Sequence, residues 1–446
     1  RADLRYSQPL GRGELAAGIT WGLDRSNTLS AQQLTRFELN VDQTDYVAWA
    51  RYEADLGMHA KLLAGADVTQ QRAGLWIRNK APVEPGSERT RELMTDLPLA
   101  IGTWTGAWTQ LLWTPSPKWT LIPGLRVDNY HLVPFSDRLV FEPRLTALHP
   151  LNDALILKAG AGLFHQPPTF LISVPVIDVA GLRYGLQEVL QIDAGVEWRL
   201  HRAFTLNVDA YVNPMVRTLE LDVFDTPPPS PELTAPDVAT AQTPLGTLDL
   251  GAHGYAYGVE VLLRHPLGDN WFGWLSYSFQ RSARYTLEQG YDGNGQPTAL
   301  RRDWIDFAFE QTHVVNAVLS YRFAGGWTVG GALHFNTGRP ELGQQRRVSI
   351  VHPLTGEPYD EWVPVERTAL DRLPPFFRLD ARVAKAFAFE DFTAEAYLDV
   401  LNVALSPETF GFTYQRDSTQ DPAPATVKTA NQLPVILPVL GVRASY

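Results

Sequence analysis

The chain has 446 residues, a formal net charge of −11 from 38 basic and 49 acidic side chains, and a pI near 5.4. That balance lacks the basic footprint of a nucleic-acid binder. The absence of cysteine excludes disulfide scaffolds, thiolate metal centres and thiol catalysis. No run reaches the roughly 18 apolar residues of a membrane helix. A composition of 13 Trp, 16 Tyr, 20 Phe, 34 Gly and 33 Pro, with only six Lys, suits a large all-β protein. The chain begins at Arg1 with neither an initiator Met nor a signal-peptide pattern, so it reads as less than a complete precursor.

In chain order, short turns are predicted at Pro9–Gly13, Leu56–His59, Pro115–Lys118, His149–Asp153, Leu200–Ala203, His265–Asn270, Ala324–Gly326 and Ala388–Asp391. Long polar or Pro-rich stretches lie between them, around 26–44, 71–99, 130–138, 165–187, 214–251, 282–311, 337–376 and 404–432. Short turns on one side and long loops on the other are the outer-membrane pattern, with the short side periplasmic. A soluble domain rarely contains so many long structureless loops.

The intervening segments alternate with a period of two over about ten residues, enough to cross a bilayer as a tilted strand. Leu190, Ile192, Ala194, Val196, Trp198 and Leu200 oppose Gln191, Asp193, Gly195, Glu197 and Arg199. Phe204, Leu206, Val208, Ala210 and Val212 oppose Thr205, Asn207, Asp209, Tyr211 and Asn213. Tyr255, Tyr257, Val259, Val261 and Leu263 oppose Gly258, Glu260 and Arg264. The same split recurs with Val315–Phe323 against Asn316, Ser320 and Arg322, and with Phe377–Val383 against Arg378, Asp380 and Arg382. Trp119, Trp198, Trp271, Trp327, Tyr211 and Tyr321 stand at or near segment ends, where an amphipathic ring suits the lipid headgroup level.

The eight short turns account for sixteen strands, and 433–446 adds a seventeenth that descends to Tyr446. Tracing back, the first strand also descends. An odd count departs from the even number of a single-chain bacterial barrel, which points to sequence upstream of Arg1.

Several stretches resemble the C-terminal barrel of TonB-dependent receptors, the active-uptake transporters of the Gram-negative outer membrane. They are Phe141–Leu145, Gly162–Pro168, Gly254–Arg264 with Trp271–Phe279, Gln311–Tyr321, Phe335–Pro340, Leu373–Arg382 and Ala396–Val403. The resemblance is carried by 120–446; residues 1–118 fit by pattern. It implies an all-β fold, a transmembrane antiparallel outer-membrane β-barrel, with about 17 strands here as part of a barrel of about 22. No plug domain is recognisable, so residues 1–446 read as barrel alone. The implied function is uptake of a scarce solute (a metal chelate, cofactor or oligosaccharide) through long extracellular loops and a plugged polar lumen. The alternative is a plugless or split barrel serving as a structural or secretion component of an envelope complex. Implied partners are outer-membrane lipid, a plug domain or second chain completing the barrel, a TonB-type energising complex, and periplasmic proteins or lipoproteins, with no nucleic acid.

Candidate lumen-lining residues are Arg126, Asp193, Glu197, Arg199, Asp209, Glu260, Arg264, Arg322, Arg378, Asp380, Arg382, Glu395 and Asp399. The plain reading is a hydrated wall of compensating charges, each exposed pair contributing about 0–1 kcal/mol. Candidate extracellular ligand contacts are His165, Tyr184, Tyr291, Trp304 and Trp362. Phe170, Phe224, Tyr285, Phe307, Phe410, Phe412 and Tyr414 are further loop aromatics that could line a vestibule or simply pack over the mouth. Asp292–Pro297 carries alternating oxygen donors but lacks the downstream acid of a calcium loop, and reads as a turn. No histidine pair has metal-ligand spacing, so no metal or cofactor is expected. No nucleophile elbow, Walker A or His-Glu-x-x-His motif points to an enzyme.

Overall fold

The computed structural model describes residues 1–31, 36–82, 90–133, 136–168, 182–201, 203–222, 240–243, 246–266, 270–351, 356, 358–417 and 425–445. Phe170, Phe224, His352 and Tyr446 lie outside these described residues. Among them there is no α-helix, only 3-10 turns at Leu182–Tyr184, Ala324–Gly326 and Arg367–Ala369.

The strands are β1 (Ala2–Leu10), β2 (Gly13–Ala31), β3 (Arg36–Asp55), β4 (Ala60–Pro82), β5 (Thr90–Ser116), β6 (Trp119–Val133), β7 (Ser136–Asn152), β8 (Leu155–Gln166), β9 (Gln187–His201) and β10 (Phe204–Arg217). The short β11 (Glu220–Asp222), β12 (Thr240–Thr243) and β13 (Gly246–Asp249) follow. Then come β14 (His253–His265), β15 (Trp271–Tyr291), β16 (Pro297–Asp306), β17 (His313–Arg322), β18 (Trp327–Asn336), β19 (Gln345–Val351) and β20 (Pro358–Pro364). The last are β21 (Phe376–Ala388), β22 (Thr393–Leu401), β23 (Glu408–Asp417), β24 (Ala425–Leu433) and β25 (Leu437–Ser445). Eighteen of them form the main sheet. Seventeen correspond to the strands expected from alternation; the eighteenth, β16, pairs with the far half of β15.

The chain divides into two compact units. Unit 1 holds Arg1–His149, Ala159–Ile192 and Met215–Leu221; unit 2 holds Pro150–Lys158, Asp193–Pro214 and Asp222–Tyr446. In unit 1, β1 to β7 pair antiparallel, each with the next. In unit 2 the ladder runs β14, β15, β17, β18, β21, β22, β25. Antiparallel neighbours need only tight turns. The Phe323–Trp327 turn supplies one through Gly325 and Gly326, whose φ of 76° and 81° would strain any other residue.

Several segments expected as loops are ribbon instead. The β2–β3 register continues unbroken to Ala31↔Arg36, and β4–β5 continues to Pro82↔Thr90. The stretches 282–311, 337–376 and 404–432 contain the β15–β16, β19–β20 and β23–β24 ribbons. Backbone pairing does not end where the alternating apolar residues end, because the ladder satisfies N–H and C=O groups whatever the side chains.

Burial is inverted relative to a soluble sheet. On β7, Phe141 is 56% exposed while its neighbour Glu142 is 6% exposed. Leu319, Ile19 and Leu440 are 59%, 57% and 82% exposed. Apolar area left in water forfeits about 25 cal/mol per Å², and a continuous apolar face far exceeds what a soluble monomer displays. Hydrocarbon removes the penalty. The segment ends carry ring clusters: His265 stacks on Trp271 at 3.6 Å with Phe204 edge-on at 5.2 Å, and Trp119 lies 4.3 Å from His149. On the polar side, Gly18 and Gly65 lie flat under the Trp49 and Trp108 indoles, where an added Cβ would come within 2.8 and 2.7 Å.

Candidate functional site

Three polar constellations stand out, one in unit 1 and two in unit 2. In unit 1, Arg126 on β6 grips Asp67 of β4 through two bonds of 2.8 and 2.9 Å. The same guanidinium binds Asp128 through two bonds of 2.7 Å. Gly106 on β5 sits between these aspartates in the register. A Cβ there would stand 2.2 Å from the Arg126 Nη2, so glycine is what lets the side chain cross β5. Nearby, Leu132, Leu182 and Leu186 form a buried cluster with Trp104, Tyr130 and Val140 packed against it.

In unit 2, the polar faces of β21 and β22 carry a ladder. Arg382 binds Asp399 at 2.9 Å and Glu395 at 2.9 Å, with its guanidinium 4.2 Å from the Tyr397 ring centre. Arg378 pairs with Asp380 at 3.2 Å, and Asp380 also accepts the Asn402 N–H. Asp209 takes Lys158 at 2.9 Å. Among the described residues no ion pair is seen for Asp193, Glu197, Arg199, Glu260, Arg264 or Arg322; most are exposed.

The larger constellation braces the hairpins of unit 2. Asp249, almost fully buried, accepts bonds from Gly251 N, Thr286 Oγ1 and Leu287 N, and a bidentate pair from Arg302 at 2.7 Å each. Glu288, 1% exposed, accepts from the Arg367 backbone N–H and takes Arg367 Nε at 3.0 Å. Burial pushes the Glu288 carboxyl up, and Arg367 partly offsets this. Glu310 is clamped by Arg372, which also binds Asp306 at 2.8 Å. Glu341 holds the Tyr414 hydroxyl and Lys428 Nζ. Glu366 binds Arg301 at 2.7 Å and accepts the Tyr291 N–H, and Arg301 holds its carboxyl below the usual range. Apart from the local Gly251 bond, these bonds join segments 37 to 87 residues apart in sequence. Where β15 passes from β17 to β16, Arg284 lies 4.7 Å over Phe307. Phe307 meets Phe309 edge-on at 5.9 Å, and Arg339 lies 5.7 Å over Phe309.

The expected ligand contacts fall in different places. His165 lies between Glu142 and Glu188 in unit 1. Tyr184 ends the Leu182–Tyr184 turn, and its carbonyl accepts Arg217 Nη2 at 2.6 Å. Tyr291 caps β15. Trp304 packs 5.1 Å from Tyr255 and 5.5 Å from Tyr285, on the face that carries the exposed apolar residues. Trp362 meets Tyr414 edge-on at 4.9 Å, and Lys428 lies 4.0 Å over Phe412. Asp292 accepts the Asn294 and Gln296 N–H groups at 2.8 Å each, the geometry of a turn. No group of three His, Asp or Glu among the described residues could hold a metal ion. Asp67, Asp128 and the buried loop carboxylates escape sequence reading, since their partners lie far along the chain with no fixed spacing.

An antiparallel sheet with an exposed apolar face, a charge-paired polar face and ring-lined turns defines the class: an outer-membrane β-barrel protein. The chain belongs to the family described as TonB dependent receptor-like, beta-barrel, which matches residues 1–403. That family resides in the Gram-negative outer membrane and comprises transporters, not enzymes. Among solved structures, the siderophore receptor PiuA from Acinetobacter baumannii is similar at 11% identity and a TM-score of 0.64, covering 99% of this chain and 63% of its own. The ferric citrate transporter FecA gives 13% and 0.60, covering 99% and 61%. The ferric yersiniabactin uptake receptor FyuA from Yersinia pestis gives 12% and 0.60, covering 99% and 60%. At such identities the likeness is one of fold. The chain spans about three fifths of the length of these structures. No curated protein matches it in sequence.

Proposed function

We propose that this chain is the barrel portion of an uptake transporter that carries a scarce solute, a metal chelate, cofactor or oligosaccharide, across the outer membrane. The polar face lines a hydrated lumen, with Arg126, Arg378, Arg382, Glu395 and Asp399 as paired wall charges. A plug domain, on this polypeptide or another, closes that lumen and couples it to a TonB-type energising complex. Among the described residues β1 pairs only with β2 and β25 only with β22. Backbone edges cannot stay unpaired in hydrocarbon, so each of these edges has a strand partner in the assembled barrel.

The observation that supports capture is the braced set of hairpins in unit 2, with the Arg284–Phe307–Phe309–Arg339 strip offering cations and ring faces together. The test is accumulation of labelled ferric and cupric chelates, corrinoids and oligosaccharides by cells with and without the gene. One of these classes should accumulate only with the gene and an energised inner membrane, and Arg284→Ala with Arg339→Ala should reduce accumulation without reducing the amount of assembled barrel. Gene-independent accumulation of every class overturns the reading.

A further inference from the structure

His165 is the penultimate residue of β8, with its side chain 10% exposed, and the uptake reading leaves it without a task. Its backbone N–H donates to Glu142 Oε1 at 2.7 Å, fixing the residue against β7. Nδ1 stands 3.5 Å from that same oxygen, and Nε2 stands 3.7 Å from Glu188 Oε2 on β9. Both distances are inside ion-pair reach and outside hydrogen-bond reach. Nδ1 is buried and has no hydrogen-bond partner.

Neutral imidazole carries one N–H and one lone pair, so either tautomer turns a lone pair toward a carboxylate. Imidazolium alone offers a donor to each. Among the described residues, the ionisable groups within ion-pair reach of the ring are Glu142 on β7 and Glu188 on β9.

We infer that His165 is a proton-binding site whose occupied form clasps the ends of β7, β8 and β9 through Glu142 and Glu188. Only the doubly protonated ring can donate to both carboxylates, so the clasp tightens on acidification. The inference does not rest on the transport reading; a structural barrel would carry the same clasp.

The test is amide hydrogen exchange on the whole protein in detergent micelles at about pH 8 and about pH 5.5, each corrected for intrinsic exchange. Protection at Leu163–Gln166 and Gln187–Val189 should rise several-fold on acidification. His165→Gln should abolish that rise, and Glu188→Gln, at a half-buried position, should diminish it with folding intact. No rise in the wild type, or an unchanged rise in either variant, overturns the inference.

Discussion

The two units are built from the same alternating strands but secure their hairpins by different means. In unit 1, β2 to β5 form one tall four-stranded ladder, held by backbone registers that run its length with a single shift between Ala73 and Leu75 and by cross-strand packing of Trp49 and Trp108 onto glycine. In unit 2, hairpins are tied sideways by buried carboxylates, each matched to a cation from a distant segment. A ladder relies on many small, local contributions, whereas a brace concentrates stability in a few desolvated charges. The units should therefore fail differently when mutated.

The largest effect should come from Arg302→Ala. It strands the Asp249 carboxylate, 3% exposed, and an orphaned buried charge costs about 3–5 kcal/mol. Proteolysis should open 246–306 of unit 2 first, while β2–β5 of unit 1 stay resistant. Equal resistance in both would remove the contrast between brace and ladder.

Next in size are the two apolar faces, which should respond alike. Phe141→Arg in unit 1 and Val259→Arg in unit 2 each place a cation in hydrocarbon, at about 2–4 kcal/mol near the bilayer midplane. Glu260→Gln, one residue on, should change little. Refolding into lipid vesicles measures all three, and equal tolerance at 259 and 260 contradicts the assignment of faces.

Gly106→Val sharpens the unit 1 side. Its branched side chain would occupy the path of Arg126, forcing the guanidinium off Asp67, with an overpacking cost of about 1–3 kcal/mol. A urea midpoint in detergent reads it. The smallest effect should be at Glu366. Arg301 depresses its carboxyl, so its contribution is present above the ordinary carboxylate range and is lost as pH falls through the depressed value. Glu366→Gln should remove that acid sensitivity at about 0–1 kcal/mol, seen as a flatter stability profile below neutral pH.

Much of this architecture was legible from side-chain order. Six of the eight short turns (the other two, at Leu200–Ala203 and His265–Asn270, lie partly outside the described residues) and seventeen strands were readable because a bilayer imposes one rule on every crossing: apolar outward, polar on the alternate position. Arg382, Glu395 and Asp399 were expected on the polar face, but that Arg382 pairs with these two acids emerges only from the β21–β22 register. Arg126 was expected on the polar face, but its partners Asp67 and Asp128 were not identified. Asp67 becomes a partner only because β4 and β6 flank Gly106. The long stretches were read as loops since they lack the apolar alternation, yet β15–β16, β19–β20 and β23–β24 are paired backbone.

The primary sequence by itself determined the crossing strands, their turns, and which side of each is apolar, because those properties repeat every two residues and need no distant information. Tertiary structure decided which buried carboxylate meets which cation, from Asp249 with Arg302 to Glu341 with Lys428. It also decided that His165 falls between two acids. A desolvated charge is stabilised only by a partner at a few ångströms, and segments dozens of residues apart reach that distance only once the sheet has fixed their register.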